Sequence, residues 1–174
     1  MRSGPEMSTL EDDELGERLI SREPVVVRRR VLWGDCDPAQ VVYTPRFADY
    51  GASAVQWFWR AAMNDGRRTL ESEGTITPIK QMAFTFHHVL RPDDLFDMAV
   101  YVGEMRNRTF DLMIEATGMD GLPRFSATFT PILVSLGTFA SKKIPTAVRD
   151  ALTAYRERFP ARSANPDDEN KTVG

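Results

Sequence analysis

Cysteine is almost absent: Cys36 is the only one in 174 residues. A single cysteine excludes an internal disulfide framework and predicts a reducing, cytoplasmic setting. Histidine is nearly as scarce, with His87 and His88 side by side. Neighbours on a strand point to opposite faces, so the pair is expected to split into one packed and one exposed ring, and no metal site is expected. No apolar run approaches the roughly 20 residues that span a bilayer, so no membrane partner is expected. The polar, acidic opening, Met1 to Gly16, has no apolar core of a secretory leader. Excess positive charge is missing too. Twenty-two Lys and Arg stand against 25 Asp and Glu, a net charge of −3, which excludes nucleic acid as the expected partner. There is no repeat and no interdomain linker.

What is present is enough apolar material for one core, 42% of residues. Residues 1–23 read as a flexible arm, with a short helix from Thr9 to about Ile20 as the alternative and Pro24 as its stop. Residues 24–160 form the domain, and 161–174 a polar, disordered tail. Val25, Val26 and Val27 begin a strand up to Leu32, in which Arg28, Arg29 and Arg30 alternate faces and form no single cluster. From Pro45 to Asn64, Phe47, Tyr50, Gly51, Ala54, Phe58 and Ala61 recur every three or four residues. Val55, Trp57, Trp59 and Ala62 extend the apolar cover around this main helix and predict burial on several sides. The small Gly51, Ala52, Ser53 and Ala54 allow a sheet to come close. Four strands follow, over 75–90, 95–105, 110–117 and 123–135, then an amphipathic helix over 144–159. A helix followed by antiparallel strands is α+β in type.

The chemistry concentrates in Trp33-Gly34-Asp35-Cys36-Asp37-Pro38-Ala39-Gln40-Val41-Val42-Tyr43-Thr44-Pro45. Gly34 and Pro38 turn the chain out of the first strand. Thr44 reads as the N-cap of the main helix, with Pro45 at its first position. Asp37 therefore stands just ahead of a helix N-terminus, whose unpaired N–H groups carry partial positive charge. A carboxylate beside an oxyanion site suits acyl transfer. Cys36 lacks the nearby base or cation that would favour a thiolate, so a packed role is expected.

Together with Arg46 and Phe47, this stretch resembles the signature of 4-hydroxybenzoyl-CoA-type thioesterases of the hotdog superfamily, and the likeness runs from about Val25 to Phe159. The resemblance implies a hotdog fold, an antiparallel sheet wrapped around the long helix. It implies an acyl-CoA thioesterase in which Asp37 is the catalytic carboxylate, Asp35 supports the loop, and the Thr44 N–H polarises the thioester carbonyl. Asp37 either attacks that carbonyl or activates water. The family usually has glycine where this chain has Gln40, so a side chain here is expected to narrow the acyl pocket, beside Tyr43, or to alter the turn. Thr77 matches a family stretch along the pantetheine path. Arg106 and Arg108 match a basic segment that meets the nucleotide, and Lys142 with Lys143 is a second basic spot. No cofactor is implied, since coenzyme A belongs to the substrate. The implied partners are an acyl-CoA, with an aromatic hydroxybenzoyl-like or a short aliphatic acyl group, and further copies of the chain as a homodimer or homotetramer. Hotdog dehydratases use a histidine, which the main helix lacks. A non-catalytic acyl-CoA or acyl-carrier binding module and an acyl-carrier-protein thioesterase are the alternatives.

Overall fold

The structure, a computed structural model, describes residues 16–64 and 66–161. Six antiparallel strands form the main sheet: β1 (Glu17–Arg22), β2 (Val25–Arg30), β4 (Ile79–Phe86), β5 (Leu95–Met105), β6 (Phe110–Gly118) and β7 (Pro123–Pro131). Their order across the sheet is β1-β2-β5-β6-β7-β4. Two short strands, β3 (Thr75–Ile76) and β8 (Val134–Ser135), pair separately. The helices are α1 (Arg46–Ala61), α2 (Gly66–Ser72) and α3 (Thr146–Arg158).

Strand alternation sets the inner face. Val25 and Val27 of β2, Phe96, Met98 and Val100 of β5, Leu112 and Ile114 of β6, and Phe125 and Phe129 of β7 are all buried. Against them lies one stripe of α1, formed by Phe47, Tyr50, Gly51, Ala54, Val55, Phe58 and Trp59. Tyr50 meets Phe96 with ring centroids 5.4 Å apart, and Phe47 meets Phe125 at 5.1 Å. At Gly51 helix and sheet come close. A Cβ added there would lie 2.2 Å from the Phe129 ring, so even alanine would overpack the contact, at a cost of about 1–3 kcal/mol. This antiparallel sheet packed around a long helix is the α+β hotdog fold.

Several boundaries differ from expectation. Glu17 to Arg22, read as part of an arm, are the edge strand β1, because Glu17 finds buried partners described below; residues 1–15 lie outside the described residues, as does the tail beyond Ala161. The strand expected over 75–90 divides into β3 and β4, and the one over 123–135 into β7 and β8. The main helix begins at Arg46 and ends at Ala61, and it is covered along one face, with Gln56 and Arg60 exposed. α3 packs against β5 beside the end of α1, with the Tyr155 ring 5.1 Å from that of Phe58. Its Tyr155 hydroxyl accepts the Val25 N–H and donates to the Val100 carbonyl, both at 2.8 Å, tying β2 to β5. No helix among the described residues is long and apolar enough to cross a membrane.

Candidate active site

The loop between β2 and α1 is held by Asp35, which is 6% exposed. After a 3-10 turn over Trp33–Asp35, its Oδ2 accepts the Leu32 N–H at 3.0 Å and the Tyr50 hydroxyl at 2.8 Å. Its carbonyl accepts the Tyr43 N–H at 2.9 Å, fastening both ends of the loop to one residue. Behind it Arg29 stands 4.2 Å over the Tyr50 ring and pairs with the buried Glu17, which also accepts from Ser53 and from the Trp57 indole at 3.2 Å. Burial first, and then the bond to Asp35, push the Tyr50 hydroxyl well above the usual tyrosine range, so it remains a donor. Asp35 is thus a structural anchor, in line with the loop-supporting role assigned to it.

Asp37 sits on the outer turn of the loop. Its Oδ1 accepts the Ala39 N–H at 2.8 Å, and its Oδ2 has no partner among the described residues. The turn closes through Gln40 N–H to Asp37 O and Asp37 N–H to Val41 O, each 2.9 Å. Gln40 has φ of 60°, the left-handed conformation glycine adopts without penalty, which explains why glycine suits this position. Between the two carboxylates, burial and then the charges of Asp35, Asp37 and Asp94 push the Cys36 thiol up, so it is no thiolate nucleophile.

Thr44 is not the N-cap. Pro45 occupies that position, with no side-chain cap bond, because the chain enters α1 through tight turns from Tyr43 and Thr44: their carbonyls accept the Arg46 and Phe47 N–H groups at 2.8 and 3.2 Å. This path leaves the Thr44 backbone at the start of the helix. The Thr44 N–H has no acceptor among the described residues and lies at the positive end of a 16-residue helix.

Beside Thr44 opens a cleft of about 230 Å³, lined by Val41, Val42, Phe47, Phe86, Val89 and Leu90 together with Thr44, His87 and His88. It exceeds the roughly 150 Å³ cavity that admits benzene in another protein. Asp37, Gln40 and Tyr43 lie on the adjoining loop and do not line it; Tyr43 is 54% exposed. The two histidines do not split between faces as expected. Beyond Phe86 the N–H groups of both His87 and His88 donate to the Arg124 carbonyl, at 2.9 and 3.2 Å. Two residues thus oppose one, a bulge that breaks the alternation and leaves both rings exposed along one cleft. Nothing in the residue pattern signalled this, since the bulge depends on the partner strand.

The basic residues gather elsewhere. Arg108 donates to the Ser141 hydroxyl at 2.5 Å, and Lys142 donates to the Thr75 hydroxyl at 2.6 Å. Ile144 N–H bonds to Asn107 O, and Arg149 donates to Arg106 O at 2.6 Å. So Arg106, Arg108, Lys142 and Lys143, two spots in sequence, form one basic surface, with Thr77 nearby between β3 and β4. Arg106 is already neutralised by Asp111 at 3.0 Å and Glu104 at 2.6 Å. This surface adjoins the Ile79 end of β4, whereas the cleft lies beyond Phe86. At about 3.3 Å per residue the two sites are on the order of 25 Å apart within one chain.

A family model of the thioesterase-like superfamily matches residues 31–152, most of the chain. The chain belongs to that superfamily. Within it, the chain is 26% identical over 88 residues to the 4-hydroxybenzoyl-CoA thioesterase of Pseudomonas sp. strain CBS-3; the match covers 49% of this chain and 62% of that relative's length. A Staphylococcus aureus protein solved in complex with CoA superposes with a TM-score of 0.73 at 13% identity, over 86% of this chain and 93% of its own. A mutant 4-hydroxybenzoyl CoA thioesterase complexed with 4-hydroxybenzoyl CoA gives 0.65 at 18% identity, over 73% and 96%. These likenesses establish the shared fold of this thioesterase-like chain. β1 and β2 both precede the matched region.

Proposed function

We propose that the chain hydrolyses an acyl-CoA thioester to free acid and coenzyme A, with an aromatic, hydroxybenzoyl-like acyl group as the first substrate class to test. The observation that carries this reading is the Thr44 N–H, without an acceptor among the described residues, at the mouth of an apolar cleft next to the loop of Asp37. In this reading the carbonyl oxygen lies at the Thr44 N–H, where charge develops in the transition state. Asp37, with Oδ2 available, either attacks the carbonyl or takes a proton from water. The thiol leaves as a thiolate, with a pKa of about 8.5, and needs little acid assistance. Arg108, Lys142 and Lys143 take the nucleotide phosphates, and Thr77 lies along the pantetheine path.

The separation of cleft and basic surface favours a homo-oligomer, with a homodimer as the basic unit. β4 is the edge of the sheet, with Met82 49% and Phe86 51% exposed. Two such edges paired antiparallel would set the Ile79 end of one copy beside the Phe86 end of the other, joining one subunit's basic surface to its partner's cleft. A panel of acyl-CoA thioesters with a thiol-release readout tests the activity. Binding without release of coenzyme A from every member would favour the acyl-CoA binding module. The engagement of Arg106 by two carboxylates favours a carrier-protein thioester as the second reading, and an acyl-carrier-protein substrate in the same panel tests it.

A further inference from the structure

We infer that His88 is a specificity-determining residue, selecting acyl groups that present a hydroxyl to the histidine wall of the cleft; this rests on the thioesterase reading of the site. The bulge after β4 turns His88 into a cleft that is otherwise apolar apart from Thr44 and His87. His88 Nδ1 lies 2.7 Å from the Pro123 carbonyl oxygen. A carbonyl only accepts, so Nδ1 carries the proton. In the neutral ring Nε2 then holds a lone pair, and it has no partner among the described residues. The nitrogen left for a ligand is therefore an acceptor, fixed in orientation by the bond on the other side of the ring. An acceptor in an apolar cleft is best matched by an O–H donor, whereas an unsubstituted ring would leave it unpaired on losing water. His87 is less defined as a reader. Its Nε2 lies 3.2 Å from the Ser126 hydroxyl, which donates or accepts equally well.

The test compares kcat/KM for 4-hydroxybenzoyl-CoA, 4-methoxybenzoyl-CoA, which has no proton to donate, and benzoyl-CoA. The wild-type protein should favour the hydroxylated substrate over both others by roughly tenfold, the contribution of one neutral hydrogen bond. His88→Leu should bring those ratios close to one. His88→Gln, whose amide oxygen still accepts, should keep part of the preference. A wild-type ratio of one, a ratio that survives in His88→Leu, or a collapse of the ratio in His87→Leu instead would overturn the assignment. If the protein hydrolyses none of the three, the aromatic reading of the substrate fails separately, and the wider acyl-CoA panel decides the thioesterase reading. Binding of the non-hydrolysable thioether analogues then decides: a preference for the hydroxylated analogue that His88→Leu abolishes supports His88, and equal binding or none overturns it.

Discussion

The Tyr50 hydroxyl donates to Asp35 Oδ2 at 2.8 Å, joining the central helix to the loop that carries Asp37. Both groups are buried, so neither regains water when its partner is removed. Tyr50→Phe should therefore lower unfolding stability by about 1.5–3 kcal/mol, the range for a hydrogen bond to a charged group. Chemical denaturation with an unchanged m-value checks this. A change below a few tenths of a kcal/mol would show that the loop is held by its backbone bonds alone.

Asp37 and Asp35 should respond differently to the same substitution. Asp37→Asn is expected to leave the melting temperature near wild type and to reduce kcat by roughly 10²–10⁴-fold with little change in KM. Asp35→Asn should chiefly lower the melting temperature, because its Oδ2 accepts from Leu32 and Tyr50 and its Oδ1 lies 3.7 Å from the Arg46 guanidinium. Steady-state kinetics and thermal unfolding on both variants separate the roles. A near-normal kcat in Asp37→Asn would remove it from the reaction.

Gln40→Gly offers a test of backbone strain. At φ of 60° a side chain costs about 1–2 kcal/mol, part of which glycine's extra unfolded-state entropy offsets. The variant should be more stable by up to about 1 kcal/mol. Since Gln40 does not line the cleft, the ranking of acyl substrates should stay as it is. A widened acyl range would restore the expectation that its side chain narrows the pocket.

Alanine at both Arg108 and Lys142 should raise KM for acyl-CoA about tenfold and leave kcat nearly alone, because contacts far from the thioester serve ground and transition states equally. Acyl-pantetheine, which lacks the nucleotide, should be hardly affected. Arg106→Ala should do less, its charge being met by Glu104 and Asp111. Equal losses with both substrates would assign these residues to structure, and no loss with either would favour a carrier-protein donor.

Alkaline stability should follow Tyr155 together with Tyr50, whose hydroxyl is also pushed up. Burial, opposed by the bond from the Val25 N–H, pushes the Tyr155 hydroxyl up to about 12. Below pH 10 the group is neutral in both states. Between about 10 and 12 the unfolded chain gives up this proton while the folded one keeps it, so stability falls as pH rises. Unfolding midpoints measured across that window should drop in the wild-type protein and drop less in Tyr155→Phe. That variant should start lower, having lost two buried bonds. An equal slope in both proteins would place the alkaline loss elsewhere.

The long helix, the four main strands, the closing helix and the loop of Asp35 and Asp37 were legible in the residues. Periodicity of three to four from Phe47 to Ala61, alternation through Phe125, Ala127 and Phe129, and turn residues at Gly34 and Pro38 are local signals, written within a few residues of where they act. The resemblance of the loop to a thioesterase signature supplied the fold's name, and the match over 31–152 bears it out. What remained hidden depended on distant segments. Glu17 looked like part of a polar arm because its partners, Arg29, Ser53 and Trp57, come from β2 and α1. The histidines were expected to part because alternation holds only while the ladder keeps its register, and one carbonyl of Arg124 ends that register. Arg108 and Lys142 were two separate patches until the fold laid the β5–β6 turn beside the segment entering α3. Local sequence determined which elements form and where they turn. Only tertiary packing decided which side chains share a cleft, because that depends on register and on contacts between residues far apart in the chain.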